Sequence, residues 1–586
     1  MRVLGFSGMH DSVAFKRREM PGLDPRHYRI VQGLDAAAAL VDDRGVVAAA
    51  AEERFTGEKA TGAFPRGAID FCLTRGGITM SEVDRVAFGF DYRLTESHEV
   101  SEFTRRRFHE VYSTEARIAL LDEHWPGMDW HELLVPVPHH HAHAASAHHL
   151  SGFGEALVLV ADGMGETESM TLFRAEGDEL SVLRQVPALH SLGTLYGVVT
   201  LYLGFEFAMD EYKVMGLAPY GDRSRYAREW ERLVRLGDQG RYTVPLLGEN
   251  RGWFENETHA GALRVLTELF GPPRSPGAPV EQRHMDVAAA AQAVLERTLL
   301  HVVRHFTEET GVRRLCLAGG VALNCTANGL LARSGLVERI FVQPASGDDG
   351  TALGAALHVR ARNGLAHRGR MGMPYWGPAF SEEEISEAVE NTPGCTARAA
   401  SPAEIVNETA RNIAEGRVVA WFQGAMEFGP RALGNRSILA DPRDPGMRDH
   451  LNAVVKQRED FRPFAPVVRR EDVHRLFDVV AGAEDQYAHM LFVVQVREEF
   501  RKELPAVTHV DGTARVQVVH RQDNERLWEL IRVFGEISGI PVLLNTSFNL
   551  RGQPVVRDPD TALRTFLRSE LDHLVMGDHL VVRDAR

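Results

Sequence analysis

Residues 156–165 read ALVLVADGMG, a run of six apolar residues that ends at Asp162 and a glycine-rich turn. Such a run, followed at once by polar and glycine residues, is typical of a buried strand that opens into a loop. Residues 2–7, RVLGFS, make the same transition at the start of the chain. The two stretches therefore predict the same local structure at two places in the N-terminal half.

A predicted hairpin follows each of these strands. Residues 35–41 and 46–51 flank a turn, as do residues 170–174 and 180–186. Strand, polar loop and hairpin, used twice in this order, are typical of an actin/Hsp70/sugar-kinase fold, whose facing loops hold nucleotide phosphates through backbone N–H groups. We predict an α/β chain with an actin/Hsp70-like N-terminal domain. Two unrelated β-meanders are the alternative.

The sequence from residue 285 onward continues the pattern of a nucleotide cleft. Residues 285–309 have helical apolar spacing, and the predicted strand 314–318 runs into a Gly-Gly loop. A further strand at 339–343 precedes Asp348 and a helix of small residues. The residues expected to contact a nucleotide in this half are Gly163, Gly165, Gly319, Gly320 and Asn324.

A glycine- and proline-rich stretch divides the chain. Residues 363–380 are predicted to be a linker, so that the predicted domains are 1–362 and 381–586. The second domain has an α/β pattern of its own, with helices at 381–391 and 403–415, a strand at 417–422 and a final strand or hairpin at 574–583.

The composition of the chain argues against several classes of function. The chain has 586 residues, with 66 Lys and Arg against 81 Asp and Glu, for a net charge of −15. This acidic balance argues against a general binder of nucleic acids or membrane surfaces. Its 4 cysteines are scattered, and we find neither a signal-peptide pattern nor an apolar run that could span a bilayer. These features predict a cytoplasmic protein without disulfides.

Residues 139–149 read HHHAHAASAHH. His139 and His143 stand one helical turn apart on one face, the spacing at which two imidazoles reach one metal ion. Asp162 and Asp348, in loops predicted to face the cleft, could complete the ligand set. Mixed His and carboxylate ligation leaves iron, zinc or manganese open. The alternative is a His-rich surface stretch without metal.

Lysine is rare in this chain, because only five of its 66 basic residues are lysines. Ammonium and guanidinium groups differ in shape and hydration, so a lysine inside a motif is a candidate for a specific role. Lys213 lies in DEYKVMGLAPYG at 210–221, before small residues that expose the backbone. We expect Lys213 and Gly216 to contact a phosphate or carbamoyl group. A lysine on a solvated turn is the alternative.

Basic residues concentrate in the C-terminal half despite the negative net charge. They alternate with Gly, Pro, Phe, Ser and Asn, a pattern that favours a pocket for a small phosphorylated anion over a solvated charged face. The candidate ligands are Arg431, Arg436, Ser437, Lys456, Arg458, Arg462, Arg515, Asn545, Ser547 and Asn549.

Seven motifs, in this order, resemble the NodU/CmcH-type O-carbamoyltransferases of antibiotic and Nod-factor biosynthesis, a family that includes the tobramycin-type enzymes. The resemblance extends over essentially the whole chain. The motifs are HHHAHAAS (139–146), VADGMGE (160–166), KVMGLAPYG (213–221), GGVALN (319–324), GPRALGNRS (429–437), K-x-R-x-x-x-RPFAP (456–466) and NTSFN (545–549).

The resemblance implies a two-step reaction on two domains. The N-terminal domain would be similar to the tRNA threonylcarbamoyltransferase, and the C-terminal α/β domain would be YrdC-like. Carbamoyl phosphate would be cleaved in the YrdC-like domain and its carbamoyl group joined to AMP from ATP, with Mg²⁺ as an accompanying ion. A hydroxyl of a small natural product would then attack the carbamoyl-adenylate at the metal site, where iron(II) is the metal we expect first, with zinc or manganese as alternatives. The expected partners include neither nucleic acid nor membrane, and a homodimer is compatible with this organisation.

One departure from the family pattern lies near the N-terminus. The family usually places His-Asp directly before its first small-residue strand, whereas Leu34 and Asp35 stand there in this chain. His10 and Asp11 come earlier, so residues 13–33 have the character of an insertion, which we expect to shape the acceptor pocket. The candidate catalytic residues are His10, Asp35 and Lys213.

Two other functions are compatible with parts of the sequence. The tRNA threonylcarbamoyl transfer enzyme would match the N-terminal half, but the C-terminal domain and the acidic balance disfavour a tRNA partner. A non-catalytic actin-like ATP-binding protein would leave the His139/His143 pair and the basic pocket without a role.

Overall fold

The computed structural model describes residues 1–94, 101–367, 369–456 and 458–584. The chain folds into two units, one of residues 1–53 with 60–371 and the other of residues 54–59 with 372–586. The assignment of residues 54–59 to the second unit was not predicted. Both units combine helices with sheets, which confirms the predicted α/β class.

The first unit is built on two five-stranded sheets of the same topology. Their strands are β1 (Val3–Ser7), β2 (Ala37–Asp42), β3 (Gly45–Ala51), β4 (Arg85–Phe88), β5 (Leu134–Pro136), β6 (Glu155–Ala161), β7 (Glu168–Glu176), β8 (Glu179–Pro187), β11 (Arg314–Ala318) and β12 (Arg339–Val342), with a separate pair, β9 (Arg235–Leu236) and β10 (Tyr242–Thr243). The orders are β3-β2-β1-β4-β5 and β8-β7-β6-β11-β12, and in each sheet the central strand is antiparallel to the hairpin and parallel to the strand on its other side. The repeat expected from residues 2–7 and 156–161 is therefore present.

Helices surround these sheets. They are α1 (Ser12–Glu19), α3 (Arg66–Gly76), α4 (Glu102–Arg107), α5 (Thr114–His124), α6 (Trp130–Leu133), α7 (His139–Ser151), α8 (Leu192–Tyr202), α9 (Glu211–Leu217), α10 (Ala227–Leu233), α11 (Trp253–Thr258), α12 (Ala260–Phe270), α13 (Gln282–Thr310), α14 (Cys325–Arg333) and α15 (Asp349–Arg362). The short helix α2 (Glu53–Thr56) begins at the last residue of segment 1–53 and continues into segment 54–59 of the second unit. Within the described ranges, no helix of the chain is both long and apolar enough to cross a bilayer.

Glycines let α15 approach its neighbours closely. A Cβ on Gly354 of α15 would collide with the carbonyl oxygen of Ala142 in α7. A Cβ on Gly5 of β1 would collide in the same way with the carbonyl oxygen of Ala352. Only glycine permits such backbone contacts. This packing brings the N-terminus of α15 close to the N-terminus of α7.

The second unit contains an eight-stranded and a three-stranded sheet. Its strands are β13 (Cys395–Ala399), β14 (Val419–Phe422), β15 (Arg436–Ala440), β16 (Ala465–Arg469), β17 (Phe477–Asp478), β18 (Val493–Val496), β19 (Thr513–Arg515), β20 (Gln517–Val519), β21 (Val542–Ser547), β22 (His573–Met576) and β23 (His579–Arg583), and its helices are α16 (Glu382–Glu390), α17 (Pro402–Ala414), α18 (Met447–His450), α19 (Val473–Leu476), α20 (Glu525–Ser538) and α21 (Pro559–Leu567). The larger sheet has the order β13-β23-β22-β14-β15-β21-β16-β20, and β17, β18 and β19 form the smaller one. Buried apolar side chains of α17 and α20, among them Ile413 and Phe534, pack with Trp421 of β14 in one core.

Candidate functional site

The four predicted metal ligands converge at the start of α7. His139 and His143 occupy successive turns, and their Nε2 atoms lie 3.1 Å apart. Asp162 follows β6, and its Oδ2 lies 3.0 Å from the Nε2 of His139. Asp348 directly precedes α15, and its Oδ1 lies 3.5 Å from the same nitrogen. One ligand atom from each of the four residues lies within 4.8 Å of the others.

This donor set fits a divalent transition metal. Two imidazole nitrogens with two carboxylate oxygens suit iron(II), zinc or manganese. The Nδ1 of His139 lies 3.0 Å from the carbonyl oxygen of Gly89. Because a carbonyl oxygen only accepts, Nδ1 carries a proton and Nε2 is the ring nitrogen available to a metal. Both histidine side chains are fully buried, whereas Asp162 and Asp348 are 12% and 19% exposed, which leaves the carboxylate side of the site accessible.

Neighbouring groups hold the ligands in place. The Phe90 ring stacks on His139, with centroids 4.0 Å apart and planes 13° from parallel. The Oδ1 of Asp162 accepts hydrogen bonds from the N–H groups of Gly163, at 2.7 Å, and Gly320, at 3.3 Å. These bonds leave Oδ2 to face the histidines.

Glu166 anchors the first turn of α7. Its carboxylate accepts a hydrogen bond from the backbone N–H of His139 at 2.9 Å and another from that of Asp91 at 2.8 Å. Helix N-termini have unpaired N–H groups, and a carboxylate stabilises them. Sequence reasoning assigned Glu166 no role, although it ends the VADGMGE motif.

The electrostatics of the cluster favour a positive charge. Burial opposes a charge on His139, but Asp348 and Asp162 outweigh burial and raise the pKa of His139 well above its usual value. Burial, followed by the charge on His139, lowers the pKa of His143. Positive charge is thus concentrated between the two carboxylates, where a metal cation would also be stabilised.

Asp35 lies beside the turn that contains Asp348, since a Cβ on Gly347 would come within 3.8 Å of the Oδ2 of Asp35. Burial raises the pKa of the Asp35 carboxyl well above its usual value, and Asp349, Glu53 and Asp348 add to the effect by charge repulsion. Its backbone is left-handed, with φ of 68°. Asp35 is therefore the predicted catalytic residue that the fold brings toward the metal cluster.

His10 is held by other groups. Its Nδ1 accepts a hydrogen bond from the backbone N–H of Phe64 at 3.1 Å, and its Nε2 lies 3.5 Å from the carboxylate of Asp11. In the part of the chain that the structure describes, no hydrogen bond or ion pair joins the His10 ring to the four metal ligands. Its catalytic role stays a prediction that this placement does not favour.

The segment predicted to be inserted, residues 13–33, contacts the loop after β6. Lys16 of α1 is fully buried, and its Nζ donates to the carbonyl oxygens of Ile30 and Glu257, at 2.7 Å in each case. The side chain of Gln32 donates to the carbonyl oxygen of Gly165 at 2.6 Å. The segment is therefore fixed beside the DGMG loop.

The two glycine loops predicted to bind a nucleotide meet through the bond from Gly320 to Asp162 described above. Gly319 has φ of 85°, and a Cβ there would collide with the carbonyl oxygen of Ala161. Asn324 has structural partners, because its Oδ1 accepts from the N–H of Ala327 at 3.0 Å and its amide pairs with Gln292. These bonds do not favour a nucleotide contact by Asn324.

Lys213 lies in α9 with Gly216. Its Nζ is 3.0 Å from the carboxylate of Asp210 and 5.3 Å from the centroid of the Phe205 ring. The side chain is 14% exposed. Its expected contact with phosphate or a carbamoyl group stays a prediction.

In the second unit, Arg436 is a buried structural residue. Its guanidinium donates to the carbonyl oxygens of Gln423 at 2.6 Å, Pro378 at 3.0 Å and Gly424 at 3.2 Å. It also lies 3.7 Å from the centroid of the Phe422 ring. With no exposed surface, Arg436 stabilises the 423–436 loop, and the phosphate contact expected for it is not supported.

Buried Glu427 shapes the loop that contains GPRALGNRS, and sequence reasoning missed it. Its Oε1 accepts hydrogen bonds from the backbone N–H groups of Leu433, Asn435 and Arg436, at 2.7, 2.8 and 3.2 Å. Ser437 reinforces the loop by accepting from the N–H of Gly434 at 3.1 Å. A lone Glu before Phe-Gly-Pro gives no sequence signal for this role.

Lys456 holds the NTSFN loop. Its buried Nζ donates to the carbonyl oxygen of Ser547, and to the carbonyl oxygen and Oδ1 of Asn549 at 3.0 and 2.9 Å. Asn545, in the same motif, donates to the Oε1 of Gln517 at 2.7 Å. The Lys456 ammonium therefore organises predicted ligand residues around itself.

Positive charges crowd around Lys456. Burial lowers the pKa of Lys456 well below its usual value, and Arg458, Arg462 and Lys59 lower it further. An anion among these groups would relieve their repulsion. Sequence reasoning did not identify Lys59 as a site residue, although the rarity of lysine was a usable signal. Lys59 lies near Lys456 because residues 54–59 belong to the second unit, which the sequence does not indicate.

Relatives with similar sequences span most of the chain. Nodulation protein NolNO of Sinorhizobium fredii is 41% identical and covers 93% of this chain and 78% of its own length. Nodulation protein NolO of Bradyrhizobium diazoefficiens is 44% identical and covers 76% of this chain and 78% of its own length. Among solved structures, component A of (R)-2-hydroxyglutaryl-CoA dehydratase from Acidaminococcus fermentans is 12% identical. The match covers 62% of this chain and 99% of that chain, with a TM-score of 0.31.

The family comparison covers both halves of the chain. The family described as "Carbamoyltransferase N-terminus" matches residues 31–357, which include the four clustered His and Asp residues. The family described as "Carbamoyltransferase C-terminus" matches residues 410–583, which include the charges around Lys456. The chain therefore belongs to the carbamoyltransferase family.

Proposed function

We propose that this enzyme is an ATP-dependent O-carbamoyltransferase that modifies a hydroxyl group of a small natural product. The observation that supports this most directly is the presence of two different sites in one carbamoyltransferase chain. The His139, His143, Asp162 and Asp348 cluster lies in the first unit, and the crowded positive charges around Lys456 lie in the second. A metal site suits the transfer step, and a cationic pocket suits phosphorylated substrates.

The first step is assigned to the second unit. Water cleaves carbamoyl phosphate to carbamate and phosphate, and a carbamate oxygen then attacks the α-phosphorus of ATP, releasing pyrophosphate and forming carbamoyl-adenylate. Arg458, Arg462 and Lys59 would bind the phosphate oxygens and stabilise the charge that develops on them. Lys456 would position Ser547 and Asn549 at the same pocket.

The second step is assigned to the first unit. The acceptor hydroxyl attacks the carbamoyl carbon, the C–O bond to the phosphate of AMP breaks, and AMP leaves. When bound, the metal would supply Lewis-acid polarisation of the reacting oxygens. We assign to Asp35 the removal of the proton from the acceptor hydroxyl, because its carboxyl lies close enough to Asp348 to be affected by the charge of that ligand.

The domain assignments belong to the same proposal. The repeated topology of the two sheets in the first unit supports an actin/Hsp70-like nucleotide-binding domain. For the second unit, the resemblance of its motifs supports a YrdC-like domain. Residues 13–33, beside the DGMG loop, would line the acceptor pocket.

The test is a reconstituted reaction. The full chain, loaded with iron(II), is incubated with ATP, carbamoyl phosphate and a panel of aminoglycoside, macrolide and oligosaccharide alcohols. We expect one acceptor class to gain a carbamoyl group in place of a hydroxyl hydrogen, seen by mass spectrometry, with pyrophosphate and AMP as co-products. Carbamoylation that proceeds equally well without ATP, or a product carbamoylated on nitrogen, would contradict the proposal.

A further inference from the structure

Hydrogen bonds that connect Asp511, Thr513 and His509 determine which ring nitrogen of His509 carries the proton. The hydroxyl oxygen of Thr513 lies 2.7 Å from the Oδ1 of Asp511 and 3.0 Å from the Nδ1 of His509. An ionised carboxylate only accepts, so the hydroxyl donates its proton to Asp511 and accepts from Nδ1–H of the imidazole. In the neutral ring, Nε2 is then left with a lone pair.

The structure gives this lone pair no partner among the residues that it describes. Among the residues that the structure describes, the buried Nε2 of His509 makes no hydrogen bond. Burial lowers the pKa of His509 to about 4, where Asp511 opposes and Arg515 adds to the effect, so the ring stays neutral at physiological pH. Buried polar atoms are rarely left unpaired, and a ligand that donates an N–H or O–H group would satisfy this one.

The position of His509 links it to the predicted anion pocket. Thr513 and Arg515 lie two residues apart in β19 and therefore share a face of the strand. Two residues further on, the side chain of Gln517 donates to the carbonyl oxygen of Leu433 in the GPRALGNRS loop at 2.8 Å. The segment 509–517 therefore contains both His509 and the predicted phosphate ligand Arg515. Through Gln517 it also contacts the GPRALGNRS loop, which is predicted to bind phosphate.

Together, Arg515 and His509 favour a ligand that has both anionic oxygens and a nearby hydrogen-bond donor. Arg515 offers donors and positive charge to anionic oxygens, and His509, which is close enough to feel the charge of Arg515, offers an acceptor. Carbamoyl phosphate combines an NH₂ group with a phosphate only one carbonyl carbon and one bridging oxygen away. The amino group of ATP is at the opposite end of the nucleotide from its phosphates. We propose that the Nε2 of His509 accepts a hydrogen bond from the carbamoyl NH₂ of carbamoyl phosphate, while Arg515 contacts its oxygens.

This inference rests on the proposed use of carbamoyl phosphate and deepens it. The test compares carbamoyl phosphate with acetyl phosphate, in which a methyl group replaces the NH₂, by calorimetric binding to the full-length protein. The wild type should bind carbamoyl phosphate more tightly. In His509→Leu this preference should disappear, because carbamoyl phosphate weakens about tenfold, the loss of about one hydrogen bond, while acetyl phosphate is unchanged.

Other variants separate recognition from damage to the fold. His509→Gln, whose amide oxygen can accept a hydrogen bond, should restore part of the preference. Thr513→Val removes the hydroxyl that fixes the tautomer of His509, and it should reduce the preference for carbamoyl phosphate less than His509→Leu does. If His509→Leu is unstable, Thr513→Val still tests the proposal. His450→Leu, at an exposed histidine of the same unit, should leave both affinities at the wild-type value.

The outcomes distinguish a failure of the His509 assignment from a failure of the proposed function. Three results for His509→Leu would refute the role of His509 while the proposed function stands. They are an affinity for carbamoyl phosphate equal to that of the wild type, an equal loss of affinity for carbamoyl phosphate and acetyl phosphate, or a loss of affinity for ATP instead. If the wild type itself binds no carbamoyl phosphate, the proposed function fails and this inference fails with it.

Discussion

The Nε2 atoms of His139 and His143 lie 3.1 Å apart on successive turns of α7. One helix supplies both imidazoles, since residues four apart share a face. The carboxylates come from two other elements, the end of β6 and the start of α15. The site therefore combines one local pattern with two long-range contacts, and each can be tested separately.

His139→Ala removes the ligand that lies nearest to both carboxylates. We expect the purified variant to retain far less divalent metal than the wild type. Its affinity should fall by more than about a hundredfold, because the loss of a direct ligand should exceed the 10–100-fold effect of losing an outer-shell partner. Elemental analysis measures this. His141→Ala is the matched control, since His141 is on the same helix but packs against Phe173 and His358. Unchanged metal content in His139→Ala would refute the ligand assignment.

Lys456→Arg tests the shape of the second site. The Lys456 ammonium donates to Ser547 and Asn549 in a buried space, and a planar guanidinium cannot reproduce those bonds. Loss of buried hydrogen bonds at about 1–3 kcal/mol should reduce turnover that depends on carbamoyl phosphate by about tenfold or more. Lys502→Arg, at an exposed position, should behave like the wild type. Equal rates for the two variants would remove Lys456 from the site.

Gly354→Ala tests the packing that delivers Asp348. The added methyl group meets the carbonyl oxygen of Ala142, so α15 must move away from α7. We expect a loss of about 1–3 kcal/mol in stability together with weaker metal binding. Gly248→Ala has no atom within 4 Å of the new Cβ and should change neither property. A destabilised Gly354→Ala with normal metal affinity would show that this close contact does not position the ligand.

Glu211 should make stability depend on pH. Burial raises the pKa of this carboxyl to about 7, above the value of about 4.3 in an unfolded chain. Between these values the folded state binds the extra proton, so stability falls as pH rises from about 4 to about 7. Glu211→Gln removes this effect. Between about pH 5 and pH 8, the stability of the variant relative to the wild type should therefore increase by about 2.5 kcal/mol, seen as a rise in its relative melting temperature.

The control for this prediction is Glu231→Gln, at an exposed position of the same unit. Its melting temperature should differ from that of the wild type by the same amount at both pH values. If Glu211→Gln behaves like this control, the carboxyl of Glu211 titrates at an ordinary pH and the burial argument is wrong.

The sequence was most informative where a short stretch determines the geometry. The spacing of His139 and His143 fixes their common helical face, and the strand that ends at Ala161 places the Asp162 carboxylate in the loop near them. The predicted helix 285–309 and strand 314–318 are present as Gln282–Thr310 and Arg314–Ala318. In these cases local periodicity was sufficient.

The sequence was least informative where partners are distant along the chain. Arg436 has the composition of a phosphate ligand, but the carbonyl oxygens that surround it come from residues 378 and 423–424. Lys59 belongs to the second unit although it lies in the N-terminal part of the chain. Neither fact has a local signature, because burial and unit membership depend on the tertiary fold.

If the proposed function is correct, one chain performs two separable half-reactions at two sites. The most direct measurement is pyrophosphate release from ATP by His139→Ala, with and without carbamoyl phosphate, alongside mass spectrometry of the acceptor. We predict that the variant releases pyrophosphate only when carbamoyl phosphate is present, at a rate close to that of the wild type, while forming no carbamoylated acceptor. Loss of pyrophosphate release together with transfer, in a variant that is still folded, would contradict the assignment of the two steps to separate sites.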